Sequence, residues 1–211
     1  MDRKEALQQL NQLINQDLFT LAQQYGVTVW KETERGQRQN KGWAGHVIER
    51  FLGLPLNSAQ SPNFGSWELK VVPLKYLQSG RLVAKETMAI TMIDPVEVMN
   101  TPFEESHVYR KLRRAVVVAR IDEGRGAQQS LVYNVSSFDL NDAVFEQVKA
   151  DYEEVQHVLR TRGFDYLTGR MGMLIQPRTK GAGHGSKSRA FYARKSLVEY
   201  IVGLRQSPFN E

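Results

Sequence analysis

The sequence contains no cysteine among its 211 residues. Disulfide bonds and thiolate-bound metals are therefore excluded, and any metal must be held by oxygen or histidine ligands. It also lacks an apolar run as long as the roughly eighteen residues needed to cross a membrane. The N-terminal stretch MDRKEALQQL is too polar for a secretory signal peptide. These absences predict a cytoplasmic protein without a membrane partner.

Acidic residues are outnumbered by basic ones. The chain has 28 Lys and Arg against 23 Asp and Glu, a net charge of +5 and a pI near 9.4. This balance favours a polyanionic partner such as nucleic acid, although many basic proteins bind none. A hydrophobic content of 41% is enough for one substantial core, so we predict a single domain over residues 1–211.

Apolar periodicity predicts both helices and strands. Helical spacing covers residues 2–24, 42–52, 106–112, 139–162 and 194–204. Strand-like runs cover residues 67–73, 82–93, 115–119, 130–135 and 173–178. The first two runs are separated by turn residues, so we expect them to pair, and 115–119 is apolar enough for a buried central strand. Residues 32–40 are polar and predict an exposed loop. This order of elements indicates an α/β fold with a mixed central β-sheet flanked by helices.

The stretch SPNFGSWELK, residues 61–70, contains a Glu-x-Lys pair. Side chains two residues apart on a strand point to the same face, so Glu68 and Lys70 project together while Leu69 packs on the other side. Such a pair can hold a divalent cation and orient a water for attack on a phosphodiester. A carboxylate five residues earlier would complete a two-acid metal site, but that residue is Asn63. The same pattern also arises on a solvated strand face.

Five blocks of sequence carry a more specific signal. In chain order they are KGWAGHVIERFLG, WELKVVPLK, FEESHVYRKLRR, MLIQPR and RAFYARKSLVEYIVG, between Lys41 and Gly203. In order and approximate spacing they resemble the MutH family. That family contains the mismatch-repair nicking enzyme and related type II restriction enzymes such as MvaI and BcnI.

The resemblance implies a restriction-endonuclease-like PD-(D/E)xK fold and hydrolysis of duplex DNA with Mg²⁺, for which Mn²⁺ can substitute. The products would be a 5′-phosphate and a 3′-hydroxyl. It also implies a catalytic set in which Lys70 orients or activates the water and Glu49 assists from its helix. That set is Glu49, Asn63, Glu68 and Lys70. The metal positions would be Asn63, Glu68 and Leu69.

Asn63 departs from the family pattern, which has an aspartate. On the MutH spacing the aspartate would fall on Ser61, and the spacing from Asn63 is similar to that of MvaI and BcnI. An amide supplies no negative charge, so Mg²⁺ binding should weaken while DNA contacts persist. Three explanations are open: an engineered Asp→Asn change that traps uncut DNA, a natural DNA-binding protein without cleavage, or an enzyme that uses another carboxylate. We favour the first because Glu49, Glu68 and Lys70 are present.

The last two blocks match the DNA-reading part of the family. Gln176 is chemically suited to pair with adenine and Arg178 with guanine. By resemblance, Tyr192 lies near the methylatable base, although it could also pack in the core beside Phe191. Further basic residues are candidates for DNA contact or are simply solvated. These are Lys41, Arg110, Lys111, Arg113, Lys180, Lys187, Arg194 and Lys195.

The resulting hypothesis divides the chain into a scaffold helix (1–26), a catalytic part (41–100) and a part that completes the sheet and reads DNA (105–205). We expect a type II restriction enzyme acting as a monomer or weak dimer, with a cognate methyltransferase as possible companion. A mismatch-repair nicking enzyme with repair partners is the alternative, and a non-cleaving DNA-binding module is the alternative of another class. The target, whether GATC-like or of CC-x-GG type, stays open.

Overall fold

A computed structural model describes residues 1–34, 36–53, 65–124, 126–180 and 188–209. The candidate residues Asn63 and Lys187 lie outside the described residues. The helices are α1 (Arg3–Leu10), α2 (Leu18–Gln24), α3 (Trp43–Phe51), α4 (Pro95–Asn100), α5 (His107–Leu112), α6 (Asp142–Thr161) and α7 (Lys195–Ile201). The strands are β1 (Trp30–Thr33), β2 (Gly36–Gln39), β3 (Glu68–Tyr76), β4 (Leu82–Ala84), β5 (Met88–Met92), β6 (Arg114–Ile121), β7 (Val132–Asp139), β8 (Ile175–Thr179) and β9 (Arg189–Ala193).

The central sheet has the strand order β4-β3-β6-β7. β3 and β6 are parallel, whereas β4 and β7 pair antiparallel at the two edges. The apolar run 115–119 lies within β6 and is buried, because it has a neighbouring strand on each side and helices on both faces. The predicted α/β class with a mixed sheet between helices is confirmed.

The predicted pairing of 67–73 with 82–93 is only half correct. β4 pairs with β3, but the chain then bends and β5 joins a separate three-stranded sheet of order β5-β9-β8. Met88 and Ile90 on β5 are buried in the same core as Phe191 on β9. Burial of these apolar side chains against a strand about 100 residues away decides the pairing, and turn chemistry cannot reveal it.

Alternation along β3 places its side chains in two cores. Val72 and Leu74 belong to a large core that α6 covers, and Leu69 and Val71 face a second core formed with α1, α2 and α3. The helix predicted over 139–162 is observed as α6, and it ends before Gly163, whose φ is 92°. The strand that carries Glu68 and Lys70 is therefore packed on both faces.

The predicted helix over residues 2–24 is interrupted. Asn15 has a positive φ of 67°, and Asp17 then caps α2 by accepting hydrogen bonds from the N–H groups of Phe19 and Thr20. Apolar spacing continues through the break because both helices face the same core, so periodicity alone could not locate it.

The segment predicted as an exposed loop is an antiparallel hairpin formed by β1 and β2. It is exposed, as predicted, but ordered. The polar composition of residues 32–40 did not predict strands, because neither face of the hairpin packs against an apolar partner along most of its length. Across the described ranges, no helix is both long enough and apolar enough to span a bilayer.

Candidate active site

Glu68 and Lys70 meet at the N-terminal end of β3. The Glu68 side chain is only 1% exposed, and its Oε1 lies 2.7 Å from Nζ of Lys70. The expected projection of both side chains from one face of the strand is confirmed. A carboxylate this deeply buried is stable as an anion only when positive groups compensate for its lost hydration.

Lys111 supplies a second compensating charge. Its Nζ lies 3.3 Å from the same Oε1 of Glu68, and its side chain is 10% exposed. From the sequence, Lys111 has the same interpretation as Arg110 and Arg113, as candidates for DNA contact or solvated residues, but the structure separates them. Arg110 and Arg113 are exposed, and Arg110 donates to the carbonyl of Glu105 at 2.7 Å. Of these three residues, Lys111 contacts Glu68 on β3.

Lys180 approaches from a third direction, directly after β8. It lines the same cleft as Glu68, Lys70 and Lys111. Burial, together with the positive charges of Lys70 and Lys111, lowers the pKa of Lys180 below its ordinary value. The cleft therefore disfavours a further positive charge, and an anion placed among these lysines would relieve their repulsion.

The cleft has a volume of about 430 Å³ and is lined by Glu49 and Gly42 of the α3 region as well as by the Glu68 cluster. A neighbouring cavity of about 720 Å³ shares Lys70 with it and extends to Arg178 and Tyr192. β3, β8 and β9 thus border one continuous depression. Glu49 and Glu68 line the same cleft.

The donor set of the cleft suits a hard cation. Within the described ranges no three His, Asp or Glu side chains converge as metal ligands, and Asn63 is outside those ranges. The Leu69 side chain is buried in the second core, so only its main-chain carbonyl can serve a metal. One carboxylate, a carbonyl and water are oxygen ligands of the kind that Mg²⁺ accepts. The residues present therefore fit an oxygen-bound divalent cation.

The two residues proposed to read bases differ in exposure. Gln176 is 5% exposed and pairs in register with Tyr192 on β9. Arg178 is exposed, donates from Nη1 to Oγ1 of Thr87 at 2.9 Å and lies 5.8 Å from the ring centre of Tyr192. Burial raises the pKa of Tyr192. Phe191 is fully buried, as its core interpretation required. Of these four residues, Arg178 and Tyr192 line the neighbouring cavity, and Gln176 and Phe191 do not.

Arg194 has a structural task that the sequence did not reveal. Its guanidinium donates to the carbonyls of Gly169, Gly172 and Met171 at 3.1, 2.9 and 2.9 Å. These bonds hold the turn that leads into β8. Arg194 therefore helps to position β8, and its contact with DNA stays a prediction.

Asp151 also holds the turn that leads into β8. Sequence reasoning did not identify it. Its carboxylate, 3% exposed, accepts from the N–H groups of Met173, Leu174 and Ile175 at 2.8, 2.6 and 2.8 Å. A signal was present, because Asp151 falls on the buried stripe of α6 beside Tyr152. An acid on an apolar helix face indicates a satisfied internal partner.

The remaining basic candidates are at the surface. Lys41 lines the larger cavity just before α3, and Lys195 is exposed at the start of α7. Lys41 is therefore placed beside the cleft, whereas Lys195 is not among the described residues that line it.

The sequence comparisons find similarity to MutH proteins. The family model described as "DNA mismatch repair enzyme MutH" matches residues 52–151, which include Glu68, Lys70 and Lys111. A protein named DNA mismatch repair protein MutH from Vibrio vulnificus strain YJ016 is 28% identical over 192 residues, covering 89% of this chain and 80% of that protein. The protein of the same name from Haemophilus ducreyi is 25% identical over 215 residues, covering 94% and 92%.

A solved structure titled "Restriction endonuclease MvaI-cognate DNA substrate complex" overlaps 87% of this chain and 94% of its own, with 12% identity and a TM-score of 0.36. By sequence, this chain is similar to the MutH proteins over most of its length, and the family model matches its residues 52–151.

Proposed function

We propose that this protein binds duplex DNA across the cleft and belongs, in its catalytically complete form, to the Mg²⁺-dependent, site-specific endonucleases. The observation that carries the proposal is the buried Glu68 carboxylate contacted by Lys70 and Lys111 on a single oxygen. A phosphodiester is the anionic group that such a cluster, with Lys180 beside it, is suited to receive. The names of the MutH relatives support DNA as the substrate class.

In the proposed reaction a water oxygen attacks phosphorus and the bond to the 3′ oxygen breaks. This leaves a 5′-phosphate and a 3′-hydroxyl. Lys70 Nζ, fixed by Glu68 at 2.7 Å, orients the water, and Lys111 restrains the carboxylate through the same oxygen. Mg²⁺ at Glu68, the Leu69 carbonyl and position 63 would offset charge on the phosphoryl oxygens. Glu49 assists from α3.

Position 63 decides whether the chain can cut. Aspartate at this place would add the second negative ligand that Mg²⁺ sites of this type use. We expect Asn63→Asp to cleave plasmid DNA in Mg²⁺ or Mn²⁺, and the unaltered chain to bind the same DNA with cleavage at least a hundredfold slower. The plasmid should contain both GATC and CC-x-GG sites, and mapping of the ends identifies the target.

The matched control is Glu68→Gln in the Asn63→Asp background, which removes the buried charge and should abolish the gained activity while DNA binding remains. No cleavage by Asn63→Asp with either metal would reject the proposal in favour of a non-cleaving DNA-binding module. Equal cleavage by the unaltered chain would instead show that another carboxylate replaces the missing aspartate.

Two finer functions remain as proposals. A type II restriction enzyme is the first, acting as a monomer or weak dimer alongside a cognate methyltransferase. A mismatch-repair nicking enzyme is the second, and the names of the relatives favour it. Both use the same cleft and differ in whether the second strand is cut.

A further inference from the structure

We infer that the β1–β2 hairpin is a second DNA-binding element, which places Lys31 and Arg38 against the duplex beside the catalytic cleft. The inference rests on the proposed DNA function and extends it to a surface outside the cleft. The hairpin belongs neither to the central sheet nor to the β5-β9-β8 sheet.

The hairpin has little to stabilise it within the protein. Six of its eight strand residues are exposed, and only Trp30 and Gln39 at its base are partly buried. An isolated two-stranded ribbon is only marginally stable in water. A ribbon of this kind, ordered yet uncovered, is suited to contact a partner.

Its charges are arranged unfavourably for folding. Lys31 lies directly opposite Arg38 in the register, and like charges in this position destabilise a pair of strands. Neither forms a salt bridge within the described part of the chain. On the other face, Gln37 donates to Glu32 at 2.8 Å. One face of the hairpin is therefore basic, and its charges are uncompensated.

The base of the hairpin is anchored at the rim of the cleft. Gln39 and Asn40 line the larger cavity together with Arg178 and Tyr192. Asn40 closes the hairpin, because its N–H donates to the carbonyl of Val29 at 2.7 Å and its side chain to that of Thr28 at 3.0 Å. DNA lying in the cleft would thus extend past the hairpin.

Duplex DNA is the occupant that shape and charge favour. The major groove admits a two-stranded ribbon, and its edges are lined by phosphates. Lys41 follows the hairpin and lines the cavity, so positive charge continues from Lys31 and Arg38 towards Lys70. An acidic protein would also neutralise the charges of Lys31 and Arg38, but this contact would not require it to lie over the catalytic cleft.

The test compares two double variants of the full chain. Lys31→Ala/Arg38→Ala removes the hairpin pair, and Arg81→Ala/Arg205→Ala removes two basic residues that line a separate cavity. Affinity for a fluorescent duplex is measured by anisotropy between about 50 and 200 mM salt. Each lost phosphate contact reduces the slope of log K against log salt by about 0.9. We expect the hairpin variant to lose a slope of roughly 2 and to bind about tenfold more weakly, and the control to match the unaltered chain.

The outcomes separate the two proposals. If the unaltered chain binds no duplex, the proposed function fails. If it binds, and the hairpin variant keeps both affinity and slope, the hairpin inference alone is wrong. Weaker binding with an unchanged slope, or equal loss in the control, also overturns it. Thermal unfolding should show no loss of stability in the hairpin variant, since a repulsive pair has been removed.

Discussion

At the scale of single residues, buried carboxylates organise this protein in two ways. The negative charge of Glu68 is compensated by ammonium groups and its carboxylate faces a cleft, which favours a catalytic role. The negative charge of Asp151 is compensated by main-chain N–H groups and its carboxylate faces a turn, which favours a structural role. Because both are almost completely buried, burial alone does not distinguish a catalytic acid from a structural one. The groups that contact the carboxylate, ammonium in one case and main-chain N–H in the other, do distinguish them.

Asp151→Asn should therefore weaken the fold. Asparagine keeps one acceptor oxygen but turns an NH₂ group towards N–H donors, and hydrogen bonds to a charged group are the stronger kind. We expect a loss of about 2–4 kcal/mol in the free energy of unfolding, measured by urea denaturation. Glu154→Gln is the control, because the exposed Glu154 accepts from Gly172 at 3.0 Å in the same turn. Similar small losses in both variants would contradict the assigned role of Asp151.

At the scale of elements, the helices on the second core are joined to the central sheet through Asp17. This residue caps α2 and also accepts from the N–H of Ser130 at 2.7 Å, just before β7. Burial opposes its ionisation, but hydrogen bonds from Ser130, Thr20 and Phe19 outweigh burial and lower the pKa of Asp17 below 3.8. One side chain thus links a helix start to a strand start.

The lowered pKa of Asp17 predicts a pH-dependent stability. A carboxyl with a depressed folded-state pKa stabilises the protein above its unfolded pKa, and the contribution is lost as the pH falls through the depressed value. We expect Asp17→Asn to be about 1 kcal/mol less stable than the unaltered chain at pH 7, with the difference shrinking below pH about 4. Urea unfolding at pH 7, 5 and 3.5 measures it. A difference that stays constant over this range would show that the charge of Asp17 is irrelevant.

At the scale of the whole molecule, several of the basic residues behind the net charge of +5 border one depression. Lys41, Arg178 and the lysines around Glu68 border it from different elements. Because the described cleft holds one Glu68–Lys70 pair, the proposed function has a single chain act on one strand at a time.

This geometry predicts the order of products from supercoiled plasmid. Nicked circles should appear first with Asn63→Asp, because one catalytic pair serves one phosphodiester. A restriction enzyme then converts them to linear DNA, which is the result we expect, and the reaction is followed on an agarose gel. Accumulation of nicked circles without linear product would establish the nicking function instead. Linear DNA without a nicked intermediate would require two chains acting together.

The sequence predicted those features that follow from local periodicity. The alternation around Glu68 and Lys70, the apolar run 115–119 and the 3.6-residue pattern of α6 each depend on neighbours in the chain, and the structure confirms them. The sequence did not predict the β1–β2 hairpin, because polar strands lack such a pattern. It did not predict the break at Asn15, because the apolar periodicity continues through it.

By itself, then, the sequence determined the class of fold, the resemblance to MutH proteins and the Glu-x-Lys pair, because strand and helix periods and the ordered motifs are local in the chain. Only the tertiary structure decided that Lys111, 43 residues from Glu68, turns inward to the same oxygen. It also decided that β5 leaves the central sheet and that Arg194 and Asp151 brace the turn before β8. These arrangements depend on which distant groups are buried together, and a buried charge or carbonyl must find its partner wherever the fold supplies one.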